Sequence, residues 1–196
     1  MVSRADALFL MIASVAASAA TTAATVAGIA GYFTGPVTLE LPIATDHLTV
    51  SELGLQATGH YTALQATVTN LPSGDAVLLS WAAALNQIGI LGILVLVFML
   101  GYRLRSSTLF TAGSVWIVGA CGAVLAVAAT GGQVVDQIAR GRLAEAIGVN
   151  KRSAEEGVIF VGEFDLTPLM AGLVLVLVAC VFEYGRRLQK DAEGLV

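Results

Sequence analysis

Four long apolar stretches constrain this chain more than any other feature. They run over about residues 7–33 ("ALFLMIASVAASAATTAATVAGIAGYF"), 77–102, 109–130 and 166–184. Apart from Glu183 at the very end of the fourth, none contains Asp, Glu, Lys, Arg or His. A hydrocarbon layer roughly 30 Å thick is crossed by about 20 helical residues, and each stretch is long enough. The composition agrees: 57% of the 196 residues are hydrophobic, mean hydropathy is +0.83, and 12% are charged. Soluble domains carry about a quarter charged residues. The expected fold class is therefore all-α membrane: a four-transmembrane-helix bundle forming one membrane domain over residues 1–196.

The charges predict an orientation. Arg4 precedes the first span, Arg103 and Arg105 lie in the short connection "RLRSST", and Arg186, Arg187 and Lys190 follow the fourth span. With these three places inside, the inner side holds six basic and four acidic residues and the outer side four basic and ten acidic. The positive-inside rule then puts both termini in the cytoplasm and makes 34–76 and 131–165 outer loops. Arg4, the apolar run and "ASAA" (Ala17 to Ala20) also resemble a secretory signal peptide. The run continues to Phe33, beyond the usual length of such a segment, so a retained first span is expected.

The outer loops predict a small β-rich region, with one antiparallel sheet of three strands at most. "TGPVTLELPIA" alternates Val37, Leu39, Leu41 and Ile43 against Thr38, Glu40 and Pro42, and "HYTALQATVTNL" alternates similarly. "GVIFVGEFDL" (157–166) is the third strand, and "LPSGD" is a turn into the second span. Between them, "QVVDQIARGRLAEAIGV" (133–149) gathers Val135, Ala139, Leu143, Ala146 and Ile147 on one helical face. It either continues the third span or lies along the interface.

Few residues carry chemistry. Asn86 and Gln87 lie in the second span, and Ser14, Ser18 and Thr22 recur every four residues in the first. Intramembrane polar groups of this kind either line a pathway or bond a neighbouring helix. His47 and His60 sit in an acidic loop without metal-ligand spacing. Cys121 and Cys180 lie in apolar runs and read as packing residues. A membrane enzyme would need a cluster of ionisable residues near one interface, for which Asp136, Glu163 and Asp165 are the candidates. No nucleotide-binding glycine pattern, catalytic triad or basic cluster for nucleic acid is present, so neither an enzyme, a metal site, a cofactor nor direct nucleic-acid binding is expected.

The C-terminal stretch "FEYGRRLQKDAEGLV" closes an oily chain with charge. Continued helix through it would pair Glu183 with Arg187, four residues on, and stop near Gly194. By itself this describes an anchor at the membrane surface. The pattern Phe182, Gly185, Leu188, Asp191, Glu193, Gly194, Leu195, Val196 resembles the ending of a bacterial four-span membrane family, domain of unknown function 2975. "LFTAGSVWIVG" (Leu109 to Gly119) resembles that family's second block more loosely, with Leu109-Phe110 where Pro-Phe is often found. The resemblance implies a bacterial plasma-membrane protein with no cofactor and no established enzymatic activity, often encoded beside a small helix-turn-helix regulator. From it comes the expectation of an interaction or sensory protein. Its docking residues would be Arg103, Arg105, Gly185, Arg186, Arg187, Leu188, Asp191, Glu193, Gly194 and Leu195, and its partner a cytoplasmic regulator or a second copy. The alternative is a small transporter or permease component, with a polar route between the Ser/Thr face of the first span and Asn86/Gln87.

Overall fold

The computed structural model describes residues 4–45, 49–53, 57–105, 112–149 and 158–193. Four long helices dominate: α1 (Arg4–Thr34), α2 (Ser73–Arg105), α3 (Ala112–Ile147) and α4 (Thr167–Glu193). Each contains a segment long and apolar enough to cross a membrane. Five strands lie between them: β1 (Val37–Thr45), β2 (Thr49–Leu53), β3 (Ala57–His60) and β4 (Ala63–Val68) before α2, and β5 (Val158–Phe160) before α4. The chain forms two compact units, and α1, α2 and α3 contribute residues to both.

The first unit comprises 1–26, 84–132 and 165–196. Its helices touch in chain order. α1 lies on α2 through one narrow seam: over residues 5–26, Ala7, Met11, Ser14, Ser18, Thr21 and Thr25 are its buried or half-buried positions, joined only by Ala17. The seam residues alternate four and three apart, the spacing of a left-handed two-helix contact. They are small, so the backbones come close: a Cβ built on Gly101 of α2 would lie 3.1 Å from Met11 Cγ and 3.3 Å from the Ala7 carbonyl. Gly89 and Gly92 of α2 do the same against Ala129 and Val124 of α3.

The tightest approach joins α3 to α4. A Cβ on Gly122 would stand 2.8 Å from the Gly172 carbonyl, and one on Gly172 would stand 2.6 Å from the Gly122 carbonyl and 2.7 Å from Ala126 Cβ. Gly122 and Ala126 form the small-xxx-small spacing by which apolar helices approach closely. Near this crossing Leu96, Val118 and Ala179 form a core cluster. α4 turns its small residues to α3, while Leu173, Val174, Leu177 and Val181 are more than half exposed.

The second unit comprises 27–83 and 133–164. β1 is the centre of a three-stranded antiparallel sheet ordered β4-β1-β5. It pairs with β4 from Val37↔Val68 to Pro42↔Ala63, then with β5 from Ile43↔Phe160 to Thr45↔Val158. Pro42 lies at this changeover, where a residue without N–H is tolerated, and its carbonyl accepts from the Val161 N–H at 3.0 Å. The period-two reading of β1 holds: Val37, Leu39, Leu41 and Ile43 are buried, and Thr38 and Glu40 are exposed. Val37 and Leu39 pack with Leu79 of α2 and Ala139 and Leu143 of α3. Leu41 and Ile43 pack with Ala144 and Val149.

The three expected strands form the one sheet of three, and the structure adds to them: β2 and β3 form a separate antiparallel pair. Its register shifts between Val50 and Leu53, and such a bulge erases the alternation by which a strand is recognised. For the segment 133–149 the structure decides between the two expected readings. Its amphipathic helix is the uninterrupted continuation of the third span, so α3 is 36 residues long. At its end Gly148 adopts φ +83, the Val149 N–H donates to the Ala144 carbonyl at 2.9 Å and the Gly148 N–H to that of Glu145 at 3.1 Å. This is a Schellman cap, completed by apolar contact of Val149 with Ala144. The chain turns there, so Ala146 and Ile147 are exposed and Ala144 and Val149 take the buried places.

Gly172→Ala is expected to destabilise the chain by about 1–3 kcal/mol, the usual cost of overpacking a tight contact. Gly28→Ala, where a Cβ meets nothing within 4 Å, should be neutral or slightly stabilising. Denaturant titration of both variants in detergent checks the contrast.

Candidate functional site

The polar residues of the first unit converge on Gln87. This side chain is 7% exposed, and α1 engages both amide hydrogens and the carbonyl oxygen. Nε2 donates to Thr21 Oγ1 at 3.1 Å and to Thr22 Oγ1 at 3.0 Å, while Thr25 Oγ1 donates to Oε1 at 3.1 Å. One amide thus spans three threonines within little more than one helical turn. An unsatisfied amide in an apolar setting costs several kcal/mol, and neither end of this one is left without a partner. Chemically the arrangement is a clasp between two helices.

Of the predicted polar set, the structure brings Thr22 to Gln87 and separates the rest. Ser14 Oγ donates to the Met11 carbonyl at 2.9 Å and Ser18 Oγ to the Ser14 carbonyl at 2.8 Å, both within α1. Asn86 is exposed, one residue round the helix from the clasp. Thr21 and Thr25 are the members that a fourfold spacing passes over; a seven-residue spacing from Ser14 and Ser18 finds both.

The predicted docking residues lie at the ends of α2 and α4. Glu183 accepts from Arg186 twice, from Nε at 3.0 Å and Nη2 at 2.8 Å, and from Arg187 Nε at 3.1 Å. The expected Glu183–Arg187 pair is therefore present and shared with Arg186. Arg187 remains 71% exposed, and a Cβ built on Gly185 would meet nothing within 4 Å. Arg103 of α2 reaches α3, its Nη2 2.9 Å from where a Cβ on Gly113 would be. Arg105 ends α2, and Leu188, Asp191 and Glu193 lie on the last turns of α4. Gly194, Leu195 and His47 fall outside the described residues, and His60 is on β3 opposite Thr49.

Two of the acidic candidates of the sequence, Asp136 and Asp165, have partners for their carboxylates, and Glu163 is held through its backbone. Asp136 accepts from Arg140 Nε at 2.6 Å, and Arg140 Nη1 reaches on to the Glu40 carbonyl of β1, also at 2.6 Å. Gln137 Nε2 donates to the Glu163 carbonyl at 2.7 Å. Asp165 Oδ1 accepts from the Thr167 N–H at 2.8 Å and so starts α4. Hydrogen bonds from the Thr167 side chain, then from its backbone, hold the Asp165 carboxyl below the usual aspartate range. Sequence reasoning misses Asp75, in the first turn of α2 and 6% exposed, whose Oδ1 lies 3.3 Å from Arg142 Nε in an ion pair without hydrogen-bond alignment. Among the described residues no group of three or more His, Cys, Asp or Glu is placed to hold a metal ion. No family model, curated protein or solved structure matches the chain.

Gln87→Leu is expected to cost about 1–2 kcal/mol, since interhelical hydrogen bonds in apolar surroundings average about 0.6 kcal/mol each. Asn86→Leu, beside it, should cost nothing measurable. Comparing the two by reversible unfolding in mixed detergent micelles checks the assignment.

Proposed function

We propose that this chain is a multi-pass membrane protein of the interaction or sensory class, without catalytic activity, whose cytoplasmic end docks a partner. The observation that carries the reading is how the first unit uses its polar groups. Among the described residues its buried polar side chains are Ser14 and Gln87, one bonded within its own helix and the other engaged at both ends of its amide across helices. A transport route needs polar groups with unspent valence along the path, or ionisable ones at membrane depth. Gln87 is spent on packing, which favours a scaffold over a permease.

In this reading four helices cross the bilayer, both termini are cytoplasmic, and the sheets and the far end of α3 lie outside. The charge asymmetry supports that orientation. The charged end of α4, with Arg103 and Arg105 at the end of α2, is the docking surface. The resemblance of the C-terminal pattern to the four-span bacterial family supports a small helix-turn-helix regulator as the partner.

The test is a pull-down from bacterial lysate with detergent-solubilised protein, full-length and ending after Gly185, after both are shown to unfold at similar temperatures. Full-length protein should retain a small DNA-binding regulator that the shortened chain loses. Recovery of the same proteins by both would overturn the docking role.

A further inference from the structure

An open groove of about 610 Å³ runs between α3 and α4. Its floor is the contact of Gly119 with Ala179, where a Cβ on the glycine would sit 3.4 Å from the alanine Cβ. Ala120 and Ala123 line one side and Val176 and Cys180 the other. At the groove's Ala123 end the two helices meet at Gly122 and Gly172, too close to admit another group. At the opposite end stand Trp116 and Tyr184, 75% and 66% exposed, together with Arg187.

Length separates the possible occupants. From Val176 to Arg187 the helix advances about 16 Å at 1.5 Å per residue. A second membrane-crossing helix, from another copy or a partner, would seek a trough along the full ~30 Å of hydrocarbon. Half that depth matches one acyl chain of a single leaflet. The groove's polar end then falls at head-group level, where Trp and Tyr concentrate in membrane proteins. Charge narrows the choice further. Glu183 is shared by Arg186 and Arg187, so this triad carries one net positive charge, with Arg187 its most exposed member. An anionic head group is favoured over a zwitterionic one.

We propose that this groove is a binding site for an anionic glycerophospholipid of the cytoplasmic leaflet. One acyl chain lies along Ala120, Ala123 and Val176, and the phosphate meets Arg187. The site rests on the membrane-spanning reading above but not on any docking partner. It requires no chemical step.

Native mass spectrometry of the full-length protein, titrated with phosphatidylglycerol or phosphatidylcholine of identical chains, tests it. Phosphatidylglycerol should be retained about fivefold better, the ratio set by about 1 kcal/mol per basic residue near anionic lipid. Arg187→Gln should bring the ratio close to one and Arg187→Lys should preserve most of it. Ala123→Leu, at an exposed position, fills the trough and should lower retention of both lipids. Equal retention of the two lipids by the unaltered protein would overturn the site, as would a ratio unmoved by Arg187→Gln. A dimer dissolved by Ala123→Leu would reassign the groove to a second copy and overturn it too. A chain that stays monodisperse without detergent would instead defeat the membrane reading, before any lipid is added.

Discussion

Large apolar side chains stand exposed along all four long helices, and the rest of the structure follows from that. Phe9, Ile12, Val127, Leu173 and Leu177 are each more than half exposed. In water, an apolar surface of this extent would drive association. In hydrocarbon it costs nothing, but the helices then gain nothing by merely hiding leucines from solvent. What remains to hold them is close packing and hydrogen bonding. The glycines at 89, 92, 101, 122 and 172 supply the first, and Gln87 with its three threonines supplies the second. The bulky residues face outward, the arrangement that a lipid surround would make cheap.

The second unit obeys the opposite rule. Its core is an ordinary hydrophobic one, with alternate residues of β1 laid against Ala139, Leu143 and Ala144 of α3. Polar groups of α3 fasten it too: Arg140 to β1, Arg142 to the first turn of α2, and Gln137 to the segment after β5. All three belong to the part of α3 beyond its apolar run, which explains why a helix of 36 residues exceeds what a hydrocarbon layer needs. The Schellman cap at Gly148 then ends it and buries Val149.

The two units differ in how far the sequence reveals them, for physical reasons. The number of long apolar helices and the buried face of β1 are readable because each rests on a strong local period or a long uncharged run. The glycine crossing at 122 and 172 is not, because a glycine in an apolar run looks the same whether it faces lipid or a neighbouring backbone. The α1 seam reads as fourfold from sequence because Ser14 and Ser18 start either pattern. Only the partner helix decides between Thr21 and Thr22 as the next buried step. A register shift hides β2 and β3. The continuity of α3 stays open in the sequence because nothing between Thr130 and Gln133 breaks a helix and nothing there demands one, two glycines notwithstanding. At the candidate site, Gln87 is visible as an amide within an apolar run, whereas the engagement of both its ends depends on the geometry of another helix.

The central claim is that four helices cross a bilayer and leave the sheets on the side opposite the C-terminal tail. Asn70→Cys and Lys190→Cys, each as the single cysteine in a background without Cys121 and Cys180, can be probed with a membrane-impermeant maleimide on intact cells. The account predicts labelling at position 70 in intact cells and at position 190 only after permeabilisation. Labelling of position 190 from outside, or protection of both positions until the cells are opened, would contradict it.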